Sequence, residues 1–214
     1  MNDPMLLSHD GDLFVINKPA GWVVHPTNDP AMKDLVSWLN TLTGTSENAP
    51  IHRLDRETSG VVLMSPSPEL RAELGEWFAQ NQVRKEYRAL VYGSPPNTMT
   101  LDAPLFDRRR GRPLNARTRI ETLERFVSCS YLRVQPETGR KHQIRQHLQR
   151  EGHAIVGESR YKPKKFLRVP GFPGRLWLHA LRLELPDDRV IEAPLAPELD
   201  AQLTLLRSLT EDPR

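Results

Sequence analysis

With 214 residues, 38% hydrophobic and 27% charged, the chain is long enough to bury a sizeable core and too apolar for wholesale disorder. A single cysteine, Cys129, excludes a disulfide framework and a cysteine-based zinc site, and no apolar run reaches the ~18 residues of a membrane span. The net charge of +3 hides a polarised layout: residues 106–168 hold 17 Lys/Arg against 6 Asp/Glu and the rest is acidic, which suits one face built for a polyanion.

The opening MNDPMLLSHDGD is acidic and lacks the basic-then-apolar order of a secretory leader, so the expected location is the cytoplasm. DLFVINK (Asp12 to Lys18) reads as a strand stopped by Pro19 and Gly21, with an apolar patch at Trp22-Val23-Val24. Met32, Leu35, Val36 and Leu39 recur at helical intervals, predicting a helix over Ala31 to Leu42 with Gly44 as its stop. Gly60 precedes a β-branched run, Val61 to Met64, and Ser67 is placed to cap a helix carrying Leu70, Leu74, Trp77 and Phe78. KEYRALVYG reads as a strand, MTLDAPL as a shorter one, and DRRRGRPLN as a basic loop. Ala116 to Phe126 and Ser128 to Gln135 look like a hairpin, and KHQIRQHLQREG like a helix stopped by Gly152. A basic, proline-rich loop follows from Glu158 to Gly174; then come a strand, Leu176 to Pro186, and a closing helix, Pro197 to Leu209. Strands with helices interspersed irregularly predict an α+β fold with a largely antiparallel sheet.

Three segments carry candidate chemistry. HRLDRETSG sets Asp55 between Arg53 and Arg56 just before an apolar strand; flanking guanidinium groups would keep such a carboxylate ionised and oriented. In ETGRKHQIRQHL, helical spacing pairs His142 with Gln146 and Lys141 with Arg145, clustering Arg140, Lys141 and Arg145 near the helix start. In RKEYRALVYG, strand alternation puts Lys85, Tyr87 and Ala89 on one side, and Glu86, Arg88 and Leu90 on the other. Taken singly, a loop salt bridge, a solvated helix face and a core tyrosine would explain each.

In order along the chain, NKPAGWVVHP, HRLDRETSG, KEYRALVYG, TGRKHQIRQHL and WLHALRL resemble the motifs of the RluA family of pseudouridine synthases, from about Asp12 to Pro194. The resemblance implies a mixed, mainly antiparallel sheet in two subdomains with a central active-site cleft. It implies isomerisation of uridine to pseudouridine in structured tRNA or rRNA, with no metal and no organic cofactor. Asp55 matches the essential aspartate and Tyr87 the tyrosine that stacks on the flipped uracil. Arg145 matches the basic partner of the aspartate, Arg53 the arginine that fills the space left by the base, and Leu178 an apolar pocket residue. Arg56, Arg140, Lys141 and His142 complete the expected substrate contacts.

Many relatives carry a small N-terminal RNA-binding domain, whereas here the first motif starts by residue 12. The expectation is therefore one catalytic domain over residues 1–214, ending in a helix and tail at 195–214, acting as a monomer without membrane or metal partners. Substrate choice would rest on the loops 106–117 and 158–174. Two other classes also explain a basic patch. One is a metal-independent ribonuclease with His52 and His142 as an acid–base pair and Arg145 on phosphate; the other is a non-catalytic RNA-binding module.

Overall fold

The computed structural model describes residues 3–163 and 167–211. The chain divides into two compact units, the first running up to Arg84 and from Ala180 to Pro194, the second from Lys85 to His179 and from Leu195 onward. The first unit lays down β1 (Met5–Asp10), β2 (Leu13–Lys18), α1 (Leu35–Thr43), β3 (Ala49–Pro50), β4 (Ser59–Ser65) and α2 (Pro68–Ala79). The chain then forms β5 (Arg84–Tyr92), β6 (Thr98–Leu101), β7 (Leu105–Asp107), β8 (Arg112–Leu114), β9 (Thr118–Arg125), β10 (Cys129–Pro136) and α3 (Gln143–Arg150). β11 (Leu178–Glu184) passes from the second unit to the first after His179, β12 (Val190–Glu192) follows it, and α4 (Pro197–Glu211) ends in the second. The fold is α+β with mixed, mainly antiparallel sheet and few helices, as the alternation of short strands predicted.

In the first unit β2 lies between β1 and β4, both antiparallel to it, and β3 pairs with the far end of β4. All seven residues of β4 are buried, which accounts for a run of Val61, Val62, Leu63 and Met64 without polar alternation. Its one glycine is obligatory: Gly60 has φ 119°, and a Cβ there would lie 2.1 Å from the Ala180 carbonyl oxygen. β12 pairs antiparallel with β11. Ser67 caps α2 by accepting the Leu70 amide at 3.1 Å, as predicted.

In the second unit β10 is flanked by β5 and β9, with β6 beyond β9, and all these pairs are antiparallel. The register sets Tyr87 opposite Val134 and Arg88 opposite Arg133. Leu199, Leu203 and Leu206 of α4 recur at helical spacing and are buried in the same core as Leu132, Ile155 and Trp177. Each such side chain contributes about 1.5–3 kcal/mol when buried, so the core holds β5, β10 and α4 in place.

Three predicted segments differ in the structure. The first helix begins at Leu35, not Ala31, because Asp34 caps it by accepting the Ser37 amide at 2.8 Å. The residues before it are drawn into extended pairing with the Trp22–Val24 patch, where the Leu35 amide reaches the Val23 carbonyl at 3.1 Å. α3 begins at Gln143 with His142 as its N-cap, so Lys141 and His142 lie ahead of the helix predicted to include them, although the Gln146 amide still reaches the His142 carbonyl at 3.0 Å. Most of the predicted loop 106–117 is not irregular: β7 and β8 pair as a hairpin whose turn carries Arg108, Arg109 and Arg110, and only 115–117 lie outside that hairpin. β1 and β12 were not foreseen. The segment 158–174 holds no helix or strand among its described residues, and Lys164, Lys165 and Phe166 lie outside those described.

Candidate active site

Asp55 is half-buried in the turn before β4, with buried Leu54 anchoring the residue ahead of it. Its carbonyl oxygen accepts the Thr58 amide at 3.1 Å, closing the turn that leads into Gly60. The next residue is held from below. Lys18, fully buried at the end of β2, points its ammonium at three carbonyl oxygens: Trp22 at 2.8 Å, Pro19 at 3.0 Å and Arg56 at 3.2 Å. The Gly21 amide donates to the same Arg56 carbonyl at 2.8 Å. A buried charge shared among carbonyl dipoles thus ties the NKPAGW segment to the HRLDR segment.

The guanidinium groups flanking Asp55 do not do what the sequence led one to expect. Arg56 turns to the Glu57 carboxylate at 3.2 Å, and Arg53 is exposed with no ion pair among the described residues. The chain turns at Arg56 and Glu57, which carries the Arg56 side chain toward the Glu57 carboxylate, so adjacency in sequence does not by itself place a guanidinium on Asp55. Arg53 is nevertheless felt nearby: burial first, then the Arg53 charge, push the His25 imidazole below its usual value, against the pull of Asp34. His52 is committed to structure, its Nε2 accepting the Leu63 amide at 3.1 Å and its ring stacked on Phe78 at 4.4 Å.

The second unit carries the other expected residues. Tyr87 is half-buried on β5 and packs against the core. The predicted alternation holds: Glu86 and Arg88, from the opposite side, form an ion pair with each other. Lys85, on the Tyr87 side, has its ammonium pKa lowered by burial.

Arg145, at the third position of α3, is only 3% exposed. Its Nε and Nη2 donate to the two oxygens of Glu158, each at 2.7 Å. Burial, the largest influence, raises the Glu158 pKa; hydrogen bonds from Arg145 and from the Tyr161 and Arg160 amides, with the Arg145 charge, outweigh it and leave it lowered. His142, just ahead of α3, adopts a left-handed conformation at φ 53° and sets Nδ1 3.0 Å from the Tyr161 hydroxyl. Arg140 is half-exposed and donates its Nε to the Asn115 carbonyl at 3.0 Å. Lys141 is exposed, and Leu178 is packed in the core.

Glu158 and Tyr161 were not anticipated as site residues. Glu158 sits 13 positions from Arg145 across a loop, a separation with no periodic signature. Gly157 was the one available hint: its φ is 82°, and a Cβ there would meet the Arg175 carbonyl oxygen at 2.1 Å.

The sequence model of the RNA pseudouridylate synthases matches residues 12–150, a span that includes Asp55, Tyr87 and Arg145. A ribosomal large subunit pseudouridine synthase D of Nitrosomonas europaea is 34% identical over 95% of this chain and 65% of its own length. A tRNA pseudouridine synthase C of Salmonella typhimurium is 33% identical over 96% of this chain and 88% of its own length. The chain thus spans about two thirds of the length of the first of these relatives. Among solved structures, the human RNA pseudouridylate synthase domain containing 4 superposes with a TM-score of 0.79 and 26% identity, covering 94% of this chain and 92% of that one. The chain belongs to the RNA pseudouridylate synthase family, the one its ordered motifs resemble.

Proposed function

We propose that this chain is an RNA pseudouridine synthase that isomerises selected uridines in structured transfer or ribosomal RNA, with Asp55 as its catalytic carboxylate. The observation that carries this reading is the family match over residues 12–150, in which HRLDRETSG, KEYRALVYG and TGRKHQIRQHL occur in order. The reaction breaks the bond from the ribose anomeric carbon to N1 of uracil and forms one from the same carbon to C5. N1 gains a proton and C5 loses one, so the product is an isomer. Asp55 attacks the anomeric carbon, adds to the uracil ring, or removes a neighbouring sugar proton; all three use an ionised carboxylate.

Extruding a uridine from folded RNA costs a few kcal/mol. Stacking on an aromatic ring is worth about 1–3 kcal/mol per base, a role that falls to Tyr87, whose hydroxyl also serves the late proton transfer from C5. Arg145 takes the part of the family's basic active-site residue. Arg53 occupies the position vacated by the base, and its freedom from ion pairs among the described residues leaves it available for that. Leu178, Arg56, Arg140, Lys141 and His142 complete the substrate contacts, and the arginine-bearing hairpin of β7 and β8 tracks phosphate. The enzyme acts in the cytoplasm as a monomer; among the described residues no helix is long and apolar enough to cross a membrane.

The test is mapping of pseudouridine in tRNA and rRNA transcripts incubated with the protein. New pseudouridine at defined positions, absent with Asp55→Asn although that variant still binds RNA, is the expected result. RNA shortened on a gel would instead indicate a nuclease. Asp55→Asn with undiminished activity would sink the assignment of the carboxylate.

A further inference from the structure

Glu158 follows Gly157, whose left-handed backbone and close approach to the Arg175 carbonyl only glycine accommodates, and is withdrawn from solvent, yet its carboxylate gathers four donors. Two come from Arg145, at 2.7 Å each. The other two are the backbone amides of Arg160 at 2.7 Å and Tyr161 at 3.1 Å, both on Oε1. Four donors nearly exhaust what one carboxylate accepts. Tyr161 closes the arrangement, with its hydroxyl 3.0 Å from His142 Nδ1 and its ring centroid 5.7 Å from the Arg145 guanidinium carbon. The Arg160 guanidinium lies 5.9 Å from the same ring.

A buried ion pair is a poor way to gain stability, because desolvation offsets most of the attraction and apolar side chains of similar volume do as well. What such a pair does supply is direction. A guanidinium is planar and conjugated, so fixing Nε and Nη2 on one carboxylate dictates where its third nitrogen points. The Tyr161 and Arg160 amides in turn fix the carboxylate plane, and Gly157 fixes the backbone that delivers it.

We propose that Glu158 is the positioning residue of Arg145, and that through the Arg160 and Tyr161 amides it couples the orientation of that arginine to the first turn of the basic segment 158–174. This rests on the synthase reading, in which Arg145 serves the reaction. Glu158 touches no substrate; it acts through Arg145.

The test uses the full chain with Glu158→Gln and Glu158→Asp, measuring RNA affinity, single-turnover rate and the ¹⁵N-edited signal of the Arg145 Nε–H. The amide of Gln has one acceptor oxygen for four donors, while Asp keeps the charge but falls short by one methylene. For folded Glu158→Gln we expect Kd within about threefold of wild type and a rate constant down about 100-fold, with a loss of about tenfold for Glu158→Asp, the scale of a small misplacement of a reacting group. The Arg145 Nε–H, slow to exchange in the wild type, should exchange rapidly in the Gln variant. A folded Gln variant with the wild-type rate constant overturns the proposal. If the Gln variant does not fold, a wild-type rate in Glu158→Asp overturns it equally. An unprotected Nε–H in the wild type contradicts it without reference to activity. Absence of pseudouridine with the wild type, its Nε–H protected, would instead count against the synthase reading.

Discussion

The ammonium of Lys18 lies 3.2 Å from the carbonyl oxygen of Arg56, so a fully buried charge at the end of β2 supports the residue next to Asp55. Lys18→Met keeps the aliphatic stem and removes the donor from three carbonyls. Each buried acceptor left unmet costs about 1–3 kcal/mol, and the Arg56 carbonyl retains the Gly21 amide, so a net loss of about 3 kcal/mol is expected. Urea unfolding measures it, and a midpoint equal to that of the wild type would remove Lys18 from the support of the Asp55 turn.

Tyr87→Phe deletes one hydroxyl and leaves the ring. If that hydroxyl takes part in proton transfer, the single-turnover rate should fall about 10²–10⁴-fold with the protein still folded. Tyr87→Ala should also weaken base capture by about 1–3 kcal/mol. An unimpaired rate in the Phe variant would leave Tyr87 a stacking role alone.

His147 is buried in α3, with Nδ1 3.0 Å from the Thr118 hydroxyl and Nε2 2.9 Å from the Ala103 carbonyl. Burial chiefly, together with the Arg150 charge, lowers its pKa against the opposing Ala103 contact and the Asp102 and Glu151 charges. The unfolded chain therefore takes up a proton near pH 6.5 that the folded chain still refuses, and stability falls as pH drops through this window. His25 shifts in the same direction, so the contribution is isolated by comparison. Between about pH 7.5 and 5.5, either side of the ordinary imidazole value, the wild-type Tm should fall further than that of His147→Gln. Equal losses in the two proteins would show that His147 is not responsible.

The hairpin of β7 and β8 presents Arg109 and Arg110 on a turn held by Asp107, whose Oδ1 accepts their amides at 2.8 and 3.1 Å. Reversing both charges leaves that turn intact. RNA affinity should fall about tenfold at moderate salt, and the slope of log affinity against log salt should flatten by about 0.7–0.9 for each phosphate no longer neutralised. A slope unchanged by the double reversal would clear the hairpin of any part in gripping the RNA backbone.

Much of this architecture was legible from order along the chain, because the forces that set it act over a few residues. Alternation in RKEYRALVYG separated Tyr87 from Glu86 and Arg88, Ser67 announced the start of α2, and the spacing of motifs identified the family. What remained hidden depends on partners distant in sequence. Arg53 and Arg56 looked like clamps on Asp55, yet among the described residues the first has no ion pair and the second turns to Glu57. Lys18 was read only as the last residue of a strand and is buried under the turn it supports. His142 was expected inside a helix; a left-handed turn excludes it and points it at Tyr161. Glu158 carried no signal beyond the glycine before it, since a loop can bring a carboxylate to an arginine 13 residues away only once the surrounding core has packed. Periodicity and turn chemistry report on neighbours along the chain; which buried charge meets which partner is decided when desolvation forces each to find one.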